Sequence, residues 1–249
     1  MPILEEEATS VSEYLSIIAG LVLNWSSPES GEVSPWFRGH KRAEWNLIPG
    51  EYRFTYIDPE EMRSEFMLKA RALLDSSPTS DWEWYFLMQH YGLPTRLLDW
   101  TVGSLIGLHF ALWDDTGESD AAVWVLDPWR LNKWTTRKSE LVLTSDSAAQ
   151  KYLYPVYQTK SIPRRPIAVV PPYNSPRITV QRGTFTVHGS NPDGIDRQFT
   201  SRLAKVHLPK DYCIQMRREL RYAGISEFTL FPDLDGLSRD IRAAEIEGC

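Results

Sequence analysis

Cysteine is almost missing from this chain: Cys213 and Cys249 are the only two in 249 residues. They match no CxxC spacing and cannot build a disulfide framework, so neither a disulfide-stapled scaffold nor a cysteine zinc site is expected, and a reducing cytoplasm is the expected home. Long apolar runs are missing too. Tyr14 to Leu23 is too short to span a bilayer, and the opening Met1-Pro2-Ile3-Leu4-Glu5-Glu6-Glu7 has no basic region, so no membrane segment or signal peptide is expected. Positive charge is in deficit, with 27 Lys and Arg against 33 Asp and Glu for a net −6. That balance argues against a general nucleic-acid binder, and Arg164-Arg165 and Arg217-Arg218 read first as solvated surface. The chain has no GxxxxGK[ST], GxGxxG after a strand, HExxH or GxSxG, which removes the common NTPase, dinucleotide, zinc-protease and hydrolase signatures. Its five histidines, at 40, 90, 109, 188 and 207, are scattered, so no metal site is expected.

What is present is the composition of a folded globular chain, 42% hydrophobic and 24% charged. Ten Trp, eleven Tyr and nine Phe can fill a core or stack on a flat ligand. Ser10-Val11-Ser12-Glu13 has capping-box spacing and opens a helix over about 11–25. Pro35-Trp36-Phe37-Arg38-Gly39-His40 suggests a short buried strand, with Gly39 free to turn or to approach a ligand. Asp58-Pro59-Glu60-Glu61 and Ser80-Asp81-Trp82-Glu83 begin two further helices, the second closed by Gly92. Val102 to Trp113 is apolar almost all round and contains Gly103 and Gly107, the pattern of a buried helix packed closely on a sheet. His109 lies within it and reads as a core histidine. The segment 129–157 has weak helical signals and reads as an insertion over the core. Strands are expected at Ala121–Leu126, Pro166–Val170, Arg177–Gln181, Gly183–His188 and Leu203–Leu208, then a helix from Pro209 to Gly224. A short apolar strand, Ile225–Phe231, carries Glu227, and the last amphipathic turns begin at Pro232–Gly236. Helices first and strands later give an α+β fold: a single domain over 1–249, core about 34–237, with N-terminal helices packed on a mixed, mainly antiparallel sheet.

The most chemically dense stretch is Gln89-His90-Tyr91-Gly92-Leu93-Pro94-Thr95-Arg96-Leu97-Leu98-Asp99-Trp100-Thr101. Read as a loop between two apolar helical patterns, it holds enough hydrogen-bonding side chains to form one wall of a site. With Phe37-Arg38-Gly39, Arg177-Ile178, Gln181-x-Gly183-x-Phe185 and Leu230-Phe231-Pro232-Asp233-Leu234-Asp235-Gly236, it resembles the FRG-domain family, named for its Phe/Tyr-Arg-Gly motif, from about Trp36 to Leu237. Members of that family occur in bacteria and phages, sometimes beside mobile-element or defence genes. The resemblance therefore implies a bacterial toxin or phage-defence effector, without fixing a reaction.

A more remote similarity is to arginine-type ADP-ribosyltransferases, whose strand ending in Arg-Gly, polar strand, small apolar helix and Gly-Thr-x-Phe turn occur in the same order. Here the order is Phe37-Arg38-Gly39, Leu98-Asp99-Trp100-Thr101, a helix ending His109-Phe110-Ala111, and Gln181-Arg182-Gly183-Thr184-Phe185. That similarity implies an ADP-ribosyltransferase-like fold and NAD, or another nucleotide, as substrate. It places Arg38, Gly39, Tyr91, Arg96, Asp99, Trp100 and Thr101 against the ligand, with no metal. It makes Arg38, His90, Gln181 and Glu227 the candidate catalytic residues. The chain departs from the pattern at the catalytic glutamate, in whose place Arg177, Thr179 and Gln181 stand. Structural readings stand beside these. Arg38 can pair with Asp99 or a buried carbonyl, Arg96 and Asp99 can fix the loop as a local pair, Trp100 can be core, and Gln89 and His90 can be cap residues. Beside the enzyme stands a non-catalytic module that recognises a protein or nucleotide signal. A metal-dependent nuclease is the weakest reading, since no carboxylate cluster is visible.

Overall fold

The computed structural model describes residues 2–27, 31–54, 58–113, 118–153, 162–172 and 180–247. Eight strands form one sheet: β1 Leu4–Glu7, β2 Trp36–His40, β3 Leu97–Thr101, β4 Ala121–Leu126, β5 Val142–Leu143, β6 Ile167–Val170, β7 Gly183–Val187 and β8 Leu203–Leu208. Their order is β1-β8-β4-β2-β3-β7-β6-β5. Only the two outermost pairs, β1 with β8 and β5 with β6, are parallel, and the rest are antiparallel. The fold is therefore α+β with a mixed, mainly antiparallel sheet, as the sequence pattern led us to expect.

Ten helices accompany the sheet among the described residues: α1 Val11–Trp25, α2 Pro59–Ala70, α3 Asp81–His90, α4 Ser104–Leu112, α5 Pro128–Thr136, α6 Ser147–Gln150, α7 Ile195–Gln198, α8 Lys210–Tyr222, α9 Glu227–Leu230 and α10 Leu234–Glu247. None is long and apolar enough to cross a membrane. Strand periodicity sorts the core into layers. Phe37, Val123, Val125, Ala204 and Val206 pack beneath α1, α4 and α8, while Leu97, Phe185 and Val187 pack beneath α3. The alternate positions Trp36, Leu98, Trp100, Trp124 and Leu126 turn to the other face, where Leu131 of α5 and Ile195 of α7 cover them. Ser10 and Ser80 cap α1 and α3 as their spacing predicts, each accepting from the backbone N–H three residues on.

Three expectations change, and one strand is added. Leu97–Thr101 is a central strand, not loop, because its alternating Leu, Asp and Trp pair with β7 over five registers. Glu227 opens a short helix whose N-cap is Ser226, not a strand. Gln181 stands in a helical turn before β7, since Arg182 takes a left-handed φ of 49° that no strand continues through. The expected strand's Arg177, Ile178 and Thr179 lie outside the described residues, as do 154–157. Finally, the acidic opening segment supplies edge strand β1, whose three glutamates discourage pairing with a further strand.

Candidate functional site

The Phe-Arg-Gly motif falls on β2, and its three residues face different tasks. Phe37 packs against α4, where a Cβ added at Gly107 would stand 2.6 Å from the Phe37 Cβ. Gly39 meets the same helix so closely that an added Cβ would lie 2.2 Å from the Ala111 N and 2.4 Å from the Gly107 O. Gly39 thus gives room to α4, and the close approach read from the sequence is an approach to a helix.

Arg38 turns the other way. Pairing between β2 and β3 consists of a single register, Phe37 opposite Thr101. Beyond it the strands part, and the Arg38 guanidinium crosses the opening. Nη1 donates to the Asp99 carbonyl at 2.7 Å and lies 3.7 Å from the Asp99 carboxylate. Nε donates to His40 Nε2 at 3.1 Å. Both structural readings of Arg38, a pair with Asp99 and a bond to a carbonyl, hold at once. Nε2 of His40 accepts from Arg38, and Nδ1 lies 3.2 Å from both the Trp124 indole N–H and the Trp45 carbonyl, so the ring is held from both of its nitrogens. Burial, and then the neighbouring Arg38 charge, push the His40 pKa down to about 3.

From Asp99 the polar chain continues into α3. Gln89 Nε2 donates to Asp99 Oδ2 at 2.7 Å, and Thr95 Oγ1 donates to Gln89 Oε1 at 2.5 Å. His40, Arg38, Asp99, Gln89 and Thr95 therefore form one hydrogen-bonded line joining the two motifs. At its middle the Asp99 side chain is 56% exposed and that of Arg38 is 19% exposed. Arg38 Nη2 makes no hydrogen bond among the described residues. His90 and Tyr91 follow Gln89 directly, with ring centroids 5.0 Å apart, and Tyr91 is 63% exposed.

The other candidates divide. Arg96 is 0% exposed, donates to the Tyr152 and His188 carbonyls, and lies 3.8 Å from Glu51. It does not pair with Asp99, because positions three apart on an extended segment point to opposite sides. Trp100 is 3% exposed and donates its indole N–H to Thr186 at 2.9 Å, so the structure places it in the core. Thr101, on the Asp99 face of β3, donates its hydroxyl to the Gln181 carbonyl at 2.7 Å, and the Gln181 amide donates to the Leu230 carbonyl at 3.3 Å. Glu227 is a separate group, 3.4 Å from His109 Nε2 and 3.3 Å from Arg239 Nε. Burial would raise its pKa, but the His109 and Arg239 contacts outweigh that and hold it below the usual range. His109 thus has the structural partner expected of a core histidine. No group of three or more His, Cys, Asp or Glu is placed to hold a metal among the described residues.

The motifs that meet at this line decide the family comparison. Residues 34–120 match the FRG domain family. The match takes in β2, α2, α3, β3 and α4 and ends just before β4, so the matched segment contains the whole line from His40 to Thr95. The motifs around Gln181 and Leu230 lie beyond it. No curated protein and no solved structure matches the chain. Sequence reasoning passed over His40, which was detectable, since a residue two beyond Arg38 on a strand shares its face.

Proposed function

We propose that the chain is a nucleotide-handling enzyme of ADP-ribosyltransferase-like type, taking NAD as substrate, and that it serves as a bacterial toxin or phage-defence effector. The observation that carries this reading is the FRG arginine itself. Arg38 is partly buried and fixed by two neutral acceptors beside the Asp99 carboxylate, and among the described residues its Nη2 donors are unused where β2 and β3 part. A planar guanidinium held this way suits a phosphate or ribose oxygen. The exposed Tyr91 ring offers a face to nicotinamide, Asp99 and Gln89 offer hydrogen bonds, and Gln181 stands two residues along β3 through Thr101. In the reaction the ribose–nicotinamide bond breaks, nicotinamide leaves with the bonding pair, and water or an acceptor nucleophile closes on the sugar carbon. Asp99 is the exposed carboxylate beside Arg38 and would balance the developing positive charge, with His90 accepting the nucleophile's proton. Arg96 and Trp100 support this wall from behind.

A second reading, a non-catalytic recognition module for a nucleotide or protein signal, is favoured by Glu227. Both its oxygens are engaged, by His109 and by Arg239, so it is tied into the helical layer. The two readings separate on incubation with NAD, measuring bound NAD and released nicotinamide for the wild type and for Arg38→Gln, with circular dichroism as the folding control. Release that the variant loses supports the enzyme. Binding without release supports the module, and absence of both refutes the nucleotide reading.

A further inference from the structure

Cross-strand register places an unusual row on the sheet face that carries Arg38. Arg38 lies opposite Trp124, and Trp124 lies opposite Lys205. The Lys205 ammonium sits 5.3 Å from the Trp124 ring centroid. Arg53 joins them from the turn after Gly50, anchored by its Nε to the Ile48 carbonyl at 2.8 Å. We infer that Arg38, Arg53 and Lys205 form a binding site for the diphosphate group of a nucleotide, floored by Trp124 and His40.

Three observations support it. First, the charges are unbalanced where balance was available. The chain has 33 acidic residues to 27 basic ones, yet among the described residues only Asp99 pairs with any of the three cations. Both Nη groups of Arg53 and the ammonium of Lys205 have neither a hydrogen bond nor an ion pair there. Second, the register sets Arg38 and Lys205 on either side of Trp124 on one face of the sheet, Arg38 is bonded to buried His40, and the charges of all three cations disfavour a proton there. Bringing like charges together over a buried floor is unfavourable until an anion joins them. Third, the span fits two phosphates better than one. Arg38 and Lys205 stand on strands separated by β4, about 10 Å apart at the backbone, and Lys205 is drawn inward over Trp124. Trp45, exposed at the rim with its ring 6.1 Å from that of His40, offers a face to the attached base.

This inference rests on reading the opening as a nucleotide site, and the experiment keeps the two apart. Titration calorimetry with sodium pyrophosphate at fixed ionic strength would compare the full chain with Arg53→Gln, Lys205→Gln and Lys138→Gln, a remote surface control. Losing one charge-assisted contact should weaken pyrophosphate binding about tenfold in each of the first two variants and leave the control unchanged. Neither Arg53 nor Lys205 holds the core together, so both variants should keep the wild-type melting temperature. Equal affinity in all four proteins overturns the inference, as does binding of a single-stranded RNA without binding of pyrophosphate. Nicotinamide release is measured in parallel. Turnover with no effect of the variants on pyrophosphate sinks the diphosphate site and keeps the enzyme; tenfold losses without turnover do the reverse.

Discussion

Gly39→Ala separates two explanations of the FRG glycine. If the backbone needs glycine in order to approach a ligand, the substitution spares stability and harms binding. The geometry predicts the opposite. The new Cβ would lie 2.2 Å from a backbone nitrogen of α4, where ordinary contact begins at 3.4 Å, so the helix must withdraw by about 1.2 Å. The obstructing atoms, Ala111 N, Gly107 O and Phe110 C, are all backbone, and no side chain can swing away. Withdrawal would also loosen Leu108, Ala111 and Leu112, each fully buried against the sheet. A gap of this size forfeits a good part of their dispersion contacts. Overpacking costs about 1–3 kcal/mol and here should fall at or above the upper end. For a chain of this length, about 3 kcal/mol lowers Tm by roughly 6–12 °C. Gly20→Ala in α1 is the matched control. Nothing lies within 4 Å of an added Cβ there, so helix propensity should stabilise it by about 0.5–1 kcal/mol. Calorimetric melting of the three proteins decides the matter. A Gly39→Ala protein that melts with the wild type but no longer binds nucleotide would refute the packing explanation.

Arg96→Met should lower stability by about 3–5 kcal/mol in urea unfolding, because it strands the Tyr152 and His188 carbonyls and leaves buried Glu51 without its cation; adding Glu51→Gln should recover part of the loss. Acid should weaken the fold early. His40 and His188 are both depressed to about 3 by burial, so the native state holds them neutral while the unfolded chain protonates near 6.5. Their contribution is intact above about 6.5 and is lost as pH falls from there towards 3, at up to about 1.4 kcal/mol per unit for each histidine. His188→Leu should make the stability profile below pH 6.5 visibly flatter. Glu227→Gln should loosen α9 and α10 and speed proteolysis there while leaving NAD binding in place, and lost binding with intact helices would contradict its placement away from Arg38.

The sequence disclosed the helices best, where capping residues and a 3.6-residue period act together, as at Ser10, Ser80 and Gly92. Strands β4, β6, β7 and β8 were legible as short β-branched runs. Strand β3 was not, because Gly92-Leu93-Pro94 before it and Arg, Asp and Trp within it look like loop chemistry. Only pairing with β7 on one side makes that segment extended. Glu227 was misassigned for a related reason, since four helical residues give no period to read. Of the candidate site, Arg38 with Asp99 was foreseeable from the motifs. Burial of Trp100 stood among the structural readings, whereas burial of Arg96 did not, because a side chain's direction depends on which neighbour covers it. Lys205 joins Arg38 only through the register of two intervening strand pairs, which no local pattern reveals.

The centre of the sheet, between β2 and β3, is joined by a single residue pair. Trp36, Trp124 and Leu126 on one side pack in the same layer as Leu98 and Trp100 on the other, so side chains hold the strands together where backbone pairing is sparse. The Arg38 guanidinium adds one polar tie across the same line, to Asp99. A ligand that recruits Arg38 competes with Asp99 for that tie, and binding is then in exchange with an internal contact.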